Sequence, residues 1–395
     1  MTATRCVDCM ARRQPTLYVA FELGWSEWKL AFGVGAGVPA RLRAIGARQL
    51  GMLDEEIRKA KLRFGLPAEA PVVSCYEAGR DGFWLHRYLL SRGIDNVVVD
   101  SASIEVNRRS RRAKSDRLDA AKLLSQLLRY HAGEYRVWSV VVVPSEADED
   151  KRQMHRELME LKAERTEHVN RIKGLLAGCG LVVREINATF LETLSQLRTW
   201  NEQAVPPELE RRLRREYARW QLLDTQIEEL SRERVQRIRR SPAKEMGKVR
   251  QLLQVAGVGQ NSAWLLVHEL FGWRRFANRR QLGALAGLAP SPYQSGSSNH
   301  EQGISKAGNP RLRAMLVEIS WGWLRWQPNS ALTRWYQERF GRGTSRYRRV
   351  GIVALARKLL VALWRYVETG EIPQGAELVD WQAKLKGRRV ALACC

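Results

Sequence analysis

The sequence predicts an α/β amino-terminal domain followed by a mainly helical remainder, on three observations. The short apolar runs Thr16-Leu-Tyr-Val-Ala-Phe-Glu22 and Pro71-Val-Val-Ser-Cys-Tyr-Glu77 have the length and composition of central strands. Helical stretches alternate with strands as far as about residue 143. Beyond Pro144 the pattern turns to long charged helices, and from about residue 244 to helical segments broken by glycine.

Taken in order, residues 16–22, 28–34 and roughly 40–47 read as three strands. An amphipathic stretch from Leu53 to Phe64, rich in Lys and Arg, reads as a helix. The strand 71–77 follows, then a helix over about 82–92 and the strand Asn96-Val-Val-Val-Asp100. Ser115 is placed to cap the next helix. The resulting order, βββαβαβα, is that of the ribonuclease-H-like fold. That fold sets its first and fourth strands side by side, so Glu22 and Glu77 become neighbours at their strand ends. Its last helix then brings Asp116 and Asp119 over them.

Ser145-Glu-Ala-Asp148 opens a helical region with acids in its first turn. Met154, Leu158, Leu161, Val169, Ile172 and Leu176 mark the apolar side of one long helix. Leu209, Leu213, Tyr217, Trp220, Leu223, Ile227 and Leu230 mark a second, which begins after Pro206-Pro207. The two suit an antiparallel hairpin or coiled coil, and both a spacer and a dimerisation element fit them. Leu252-Leu-Gln-Val-Ala-Gly-Val-Gly259 matches a helix-hairpin-helix signature, in which the turn at Gly257 and Gly259 offers backbone N–H groups to a phosphate. Tyr293-Gln-Ser-Gly-Ser-Ser298 reads as a flexible polar loop. Trp321, Trp323 and Trp326 fall near helical spacing and read as core. The expected organisation is a tail over 1–15, an α/β domain over 16–143, a helical coiled-coil region over 144–243, a mainly α domain over 244–370 and a tail over 371–395.

The 66 Lys and Arg outnumber the 42 acids, for a net charge of +24. Such a surplus calls for a polyanionic partner, and nucleic acid fits better than an anionic membrane. The longest apolar stretches fall far short of the ~20 residues that span a bilayer, and no signal-peptide core follows the first charges. The expectation is a cytoplasmic, nucleoid-associated bacterial protein with no membrane partner. Cys6-Val-Asp-Cys9 has ligand spacing but no second close pair except Cys394-Cys395 at the far end, so these read as reduced thiols.

Four carboxylates carry the chemistry. Glu22 and Glu77 end their strands, and Asp116 and Asp119 lie three apart, on one face of a helix. Such an oxygen-rich set suits Mg²⁺ or Mn²⁺. Beside it, Arg108, Arg109, Arg111, Arg112 and Lys114 form a basic segment able to hold a phosphate backbone. Lys306, Arg311 and Arg313 add cations further along the chain. Acids for a metal and bases for a polyanion point to phosphoryl transfer on nucleic acid.

Six segments occur in order: Cys75-Tyr-Glu-Ala-Gly79, Lys114-Ser-Asp-Arg-Leu-Asp-Ala120, Gly257-Val-Gly259, Ala286-Gly-Leu-Ala-Pro290, Tyr293-Gln-Ser-Gly296 and Ile304-Ser-Lys-Ala-Gly-Asn309. Together they resemble the DEDD transposases of the insertion-sequence 110 family over roughly residues 16 to 370, and the ordered set is far more specific than any one member. The resemblance implies a RuvC-like amino-terminal domain, a coiled-coil region and a carboxyl-terminal transposase domain with a nucleophilic serine. It implies recombination of element and target double-stranded DNA, guided by a structured, element-encoded bridge RNA, by a dimer or tetramer. It maps the catalytic and metal-binding acids to Glu22, Glu77, Asp116 and Asp119, and the nucleophile to Ser295. One position departs from the family pattern: its first acid is usually Asp, whereas this chain has Glu22, one methylene longer. A serine hydroxyl is a weak nucleophile at neutral pH and needs activation or a polarised target. A metal-and-water nuclease with a structural Ser295 and a non-catalytic nucleic-acid-binding protein are the alternatives.

Overall fold

The computed structural model describes residues 14–104, 116–295 and 298–386. The chain divides into two compact units, residues 1–143 and 144–395.

The first unit is built on a five-stranded mixed sheet. Its strands are β1 (Leu17–Leu23), β2 (Glu27–Gly33), β3 (Arg41–Gly46), β4 (Val72–Glu77) and β5 (Asp95–Val99), in the order β3-β2-β1-β4-β5. β1 pairs antiparallel with β2 and parallel with β4, with Phe21 opposite Tyr76. Residues Leu17 to Phe21 are all buried, because β1 lies in the middle of the sheet and is covered on both sides. Helices α1 (Leu50–Arg63) and α2 (Trp84–Ser91) cover one face, where Leu17, Val19, Phe21, Val72 and Tyr76 join Trp28, Leu53 and Leu85 in one core. Helix α3 (Asp116–His131) covers the other, where Ala120, Leu123, Leu124 and Leu127 pack on Tyr18, Ala20, Ala31, Val73 and Cys75. The expected element order and the pairing of first with fourth strand are both present.

The second unit begins with the short helix α4 (Glu146–Asp150), capped by Ser145, whose hydroxyl accepts from the N–H of Asp148. Two long helices, α5 (Gln153–Ala177) and α7 (Pro207–Arg240), then pack along one another, with α6 (Phe190–Gln196) between them in sequence. At 34 residues α7 is about 50 Å long. Its apolar stripe faces α5, and near the connection Ile172, Leu176, Phe190, Leu194, Leu213, Tyr217 and Trp220 form a small core of their own.

The remaining helices are α8 (Lys244–Gln254), α9 (Gln260–Leu266), α10 (Arg279–Leu285), α11 (Pro310–Trp326), α12 (Ala331–Tyr336), α13 (Ser345–Thr369) and α14 (Trp381–Lys386). One π-helical turn follows α9 at Val267–Phe271 and another follows α12 at Gln337–Gly341. These helices share the largest core, centred on Trp264, Phe271, Leu316, Trp323, Leu359 and Leu363.

Three readings change. The segment taken for a flexible loop is a two-stranded antiparallel ribbon, β6 (Pro290–Ser295) with β7 (Ser298–Ile304). Its prolines and serines conceal strand character, which comes from cross-strand pairing. Of the three tryptophans only Trp323 is core, whereas Trp321 and Trp326 are 49 % and 55 % exposed. Helical phase turns Trp321 away from the side that Trp323 buries, whereas Trp326 is the last residue of α11 and is exposed at the helix end. Residues 371–386, set outside the domain as a tail, lie against it: Leu385 is buried in the main core and the Val379 N–H donates to the Gln254 carbonyl.

Candidate functional site

Strand alternation assigns the acids of the first unit to a face. Tyr18 and Ala20 of β1, and Val73 and Cys75 of β4, lie on the α3 side. Side chains alternate with a period of two, so Glu22 and Glu77 continue that same side to the carboxyl ends of adjacent parallel strands. Helix α3 runs antiparallel to them. Its last residue, His131, is hydrogen-bonded through Nδ1 to Tyr18 Oη (2.8 Å) at the start of β1. Closer to its beginning, the Cys75 thiol meets the Leu123 carbonyl at 3.9 Å. One helical turn back from Leu123 is Asp119, and two residues on from Cys75 is Glu77. Both steps, about 5.4 Å and about 6.6 Å, lead toward the same end of the sheet. Asp119 is half-buried, Glu22 is half-buried and Glu77 is exposed. Asp116 is the first residue of α3, and only its backbone is described. Arg108, Arg109, Arg111, Arg112 and Lys114 lie outside the described residues.

Among the described side chains, no three His, Cys, Asp or Glu converge closely enough to hold a metal. The donors that register brings to this end are all carboxylates, and hard oxygen ligands suit Mg²⁺ or Mn²⁺.

Sequence reading missed a cluster beside these acids. Trp25, 67 % exposed, follows β1 by two residues, and Arg80 follows Glu77 by three. The Arg48 and Arg80 guanidiniums lie 5.1 and 4.7 Å from the Trp25 ring centroid. Arg48 also donates to the Asp81 carboxylate (2.9 Å), which is almost fully buried. Arg48 holds a left-handed backbone, φ +65°, which costs a non-glycine residue about 1 kcal/mol. An exposed indole between two guanidiniums is a surface for a phosphate and a base. A lone Trp flanked by distant arginines gives no local signal, so only the fold assembles it.

In the second unit, Ser295 ends β6, directly opposite Ser298, and only its backbone is described. The ribbon's base is clamped by two glycines. Gly287 (φ +65°) and Gly308 (φ +125°) cross so tightly that a Cβ on Gly308 would stand 2.4 Å from the Leu285 carbonyl oxygen. Five strand steps at ~3.3 Å each set Ser295 about 17 Å from Pro290, where the ribbon begins.

The remaining predicted contacts are partly engaged within the chain. Arg313 donates to the Lys306 carbonyl (3.0 Å), and Lys306 takes φ +56° with its side chain exposed. Arg311 lies 3.6 Å from Glu160. At the hairpin turn, Gly257 has φ +87°, and a Cβ there would meet Trp326 at 3.3 Å. Lys384 donates to the Val255 and Val258 carbonyls, and Gln327 donates to that of Ala256. The Ala256 and Val258 N–H groups bond to Glu377 and Val255, so two of the turn's donors are used internally. Gly259 precedes α9 as its N-cap.

Comparison with known proteins joins these pieces. Residues 249–336 match the family model described as transposase IS116/IS110/IS902 family, a stretch that contains Gly257, Gly259, Ser295, Lys306, Arg311 and Arg313. The chain is 42 % identical over 377 residues to y4rJ of Sinorhizobium fredii, whose name is that of a transposase, with 91 % of this chain and 94 % of that protein covered. The chain belongs to the IS116/IS110/IS902 family of transposases. More distant relatives agree. The transposase for insertion sequence element IS1328 of Yersinia enterocolitica is 28 % identical over 223 residues, 55 % of this chain and 63 % of that protein. The transposase for element IS1111A of Coxiella burnetii is 29 % identical over 153 residues, 39 % and 41 % of the two chains. As a transposase of this family the chain acts in DNA transposition. No helix among the described residues is long and apolar enough to cross a membrane.

Proposed function

We propose that this transposase cuts and rejoins element and target DNA through a phosphoserine intermediate, with Ser295 as nucleophile and Glu22, Glu77, Asp116 and Asp119 as the holders of Mg²⁺ or Mn²⁺. The observation that carries the reading is register. Glu22 and Glu77 end adjacent parallel strands on the face covered by α3, whose first turns contain Asp116 and Asp119. That arrangement supports a ribonuclease-H-like, RuvC-like reading of the first unit, since carboxylates on neighbouring strand ends and a covering helix form its acid site.

In this mechanism the Ser295 hydroxyl oxygen forms a bond to the scissile phosphorus and the bond to one deoxyribose oxygen breaks. The serine proton passes to solvent and the departing oxygen takes one up, so charge balances. A bound divalent cation would supply polarisation of the phosphoryl group. The four carboxylates would hold and orient that charge, and the arginines at Trp25 in the first unit and the cations of the ribbon base in the second each offer contacts to a phosphate backbone. Rejoining reverses the step with a new deoxyribose hydroxyl. A structured RNA encoded by the element directs the choice of target, and the working form is a dimer or tetramer.

The test is a denaturing analysis of reactions with element DNA. A DNA strand should remain covalently attached to the protein, and mass spectrometry should place the nucleotide on a peptide spanning Pro290 to Lys306. Ser295→Ala should lose the adduct while Ser297→Ala and Ser298→Ala keep it. Cleavage that persists in Ser295→Ala, with no adduct in the wild type, would make water the nucleophile. Guidance has its own test, because a +24 chain binds many nucleic acids by releasing counterions. RNA from the element's flanks should survive a salt challenge that strips random RNA of equal length, and equal residual binding would refute a dedicated guide.

A further inference from the structure

An open groove of about 480 Å³ lies between α11, the segment after α12 and the start of α13, lined by Trp321, Tyr336, Gln337, Ser345, Arg348 and Arg349 among others. Residues 331–350 contain six arginines and a single acid, Glu338. Arg342, Arg346, Arg348 and Arg349 are exposed, and none of them is ion-paired among the described residues. Along the arm formed by α5 and α7 many arginines are paired instead: Arg165 with Asp224, Arg171 and Arg219 with Glu216, Arg214 with Glu210 and Arg232 with Glu228, while Arg212, Arg215 and Arg240 are exposed without an ion pair among the described residues. At the groove four exposed, unpaired arginines fall within the eight residues 342–349, and Arg348 and Arg349 line the concave surface. Fixed charge of one sign in a concave surface focuses the field and attracts a polyanion.

The groove also carries an aromatic face. Trp321 lines it at 49 % exposure, although α11 buries Trp323 completely. Along the same helix, the Arg325 guanidinium lies over the Trp326 ring at 5.4 Å, and Trp326 abuts the glycine turn at Gly257. Exposing two indoles to water is unfavourable, and a stacked base would offset it. Duplex DNA keeps its bases inside and gains nothing from an indole except contact with its backbone. An unpaired strand can use both the arginines and the ring.

We propose that this groove binds an unpaired DNA strand, with phosphates at Arg348 and Arg349 and a base stacked on Trp321. The inference rests on the reading that this transposase breaks DNA strands, which creates unpaired ends, but its readout is binding and is independent of the nucleophile.

The experiment uses the full-length chain in its Ser295→Ala form, with fluorescence anisotropy of a labelled 12-nucleotide oligo(dT), a 12-base-pair duplex and a 12-nucleotide oligo(rU) at fixed salt. Trp321→Ala should weaken oligo(dT) roughly tenfold and leave the duplex unchanged, and Trp321→Phe should restore most of the loss. Arg348→Ala with Arg349→Ala should weaken oligo(dT) roughly tenfold and lower its salt slope by about 1.4. Arg211→Ala, at an arm residue whose charge is paired with Glu208, should change neither. Equal losses for oligo(dT) and duplex on Trp321→Ala, or no loss for either, would overturn the stacking site. A Trp321-dependent preference for oligo(rU) would overturn the assignment to DNA. Altered sedimentation of the protein alone with DNA affinity unchanged would make the face a contact between copies of the chain instead.

Discussion

The side-chain amide of Asn309 lies 3.4 Å from the Glu269 carboxylate, and its carbonyl oxygen accepts from the N–H groups of Arg311 and Leu312. One residue thus caps α11 and joins the ribbon's base to a buried acid on the π-helical turn. Glu269 also faces Arg152 (3.6 Å), the N-cap of the arm's first helix, and Arg156 (3.5 Å) within that helix. Glu269→Ala should therefore destabilise the chain by about 3 kcal/mol, because it leaves a buried Arg152 without its counter-charge. Asn309→Ala should cost about 1 kcal/mol, and Asn309→Ser, which keeps a capping oxygen, less. Urea denaturation of the three variants measures this, and equal losses for Asn309→Ala and Asn309→Ser would show that the cap contributes nothing.

The glycine crossing makes a second expectation. Gly308→Ala forces a Cβ against the Leu285 and Ala284 carbonyls at a backbone angle that L residues avoid, and should cost about 2 kcal/mol or more. Gly303→Ala shares the positive φ but meets nothing within 4 Å, so about 1 kcal/mol is expected. A comparison of melting temperatures distinguishes them. Gly308→Ala should also depress transposition by more than its stability loss explains, since it displaces the ribbon that ends in Ser295.

Acid should weaken the second unit. Burial pushes the His155 and His268 imidazoles down to about 4, with nearby cations, Arg234 first among them, contributing at His155. Both are neutral in the fold and take up protons at about 6.5 when unfolded. The unfolded chain binds more protons between these values, so stability is full above pH 6.5 and falls as pH drops toward 4. Each histidine contributes up to about 3 kcal/mol to that fall. In the double variant His155→Gln with His268→Gln, the urea midpoint should vary less between pH 7 and 4.5 than in the wild type. An unchanged profile would assign acid sensitivity to other groups.

Asp119→Ala should abolish strand cleavage and leave DNA affinity nearly intact, because the cationic surfaces remain. Glu22→Asp is the finer probe. Near-normal activity would show that the acid site accommodates either side-chain length, whereas a loss above tenfold, with a shifted preference between Mg²⁺ and Mn²⁺, would show that the longer arm sets the geometry. Wild-type cleavage in Asp119→Ala would remove this residue from the proposed mechanism.

Much of the first unit was legible because its signals are local. Thr16 to Glu22 and Pro71 to Glu77 are largely apolar runs closed by an acid, and a central strand buried on both faces requires such a run as far as its exposed end. The arm was legible from the apolar spacing of Leu213, Tyr217, Trp220 and Ile227, all buried in the structure. The ribbon was not, since Pro290, Pro292, Gly296 and the serines read as turn residues while pairing with residues 298–304 supplies the strand. Long-range partnerships were equally hidden. Lys384 bonds the carbonyl of Val255 across 129 residues, and no window along the sequence connects them. The Trp25 cluster also needed the fold, because Arg48 and Arg80 reach the ring from different loops.

The small core at the far end of the arm has a consequence for engineering. Phe190, Leu194, Tyr217 and Trp220 pack among themselves and with Ile172 and Leu176, apart from the core that holds Trp264 and Trp323. Neither the ribbon nor the acid-bearing strands take part in it. Replacement of residues 178–206 by a short loop should accordingly leave the main core folded, provided that Ile172, Leu176, Leu213, Tyr217 and Trp220 are exchanged for polar residues to suit the newly bared helix ends. The exposed residues 200–204 are the natural insertion point for a fluorescent or affinity module in a transposase intended for work in cells.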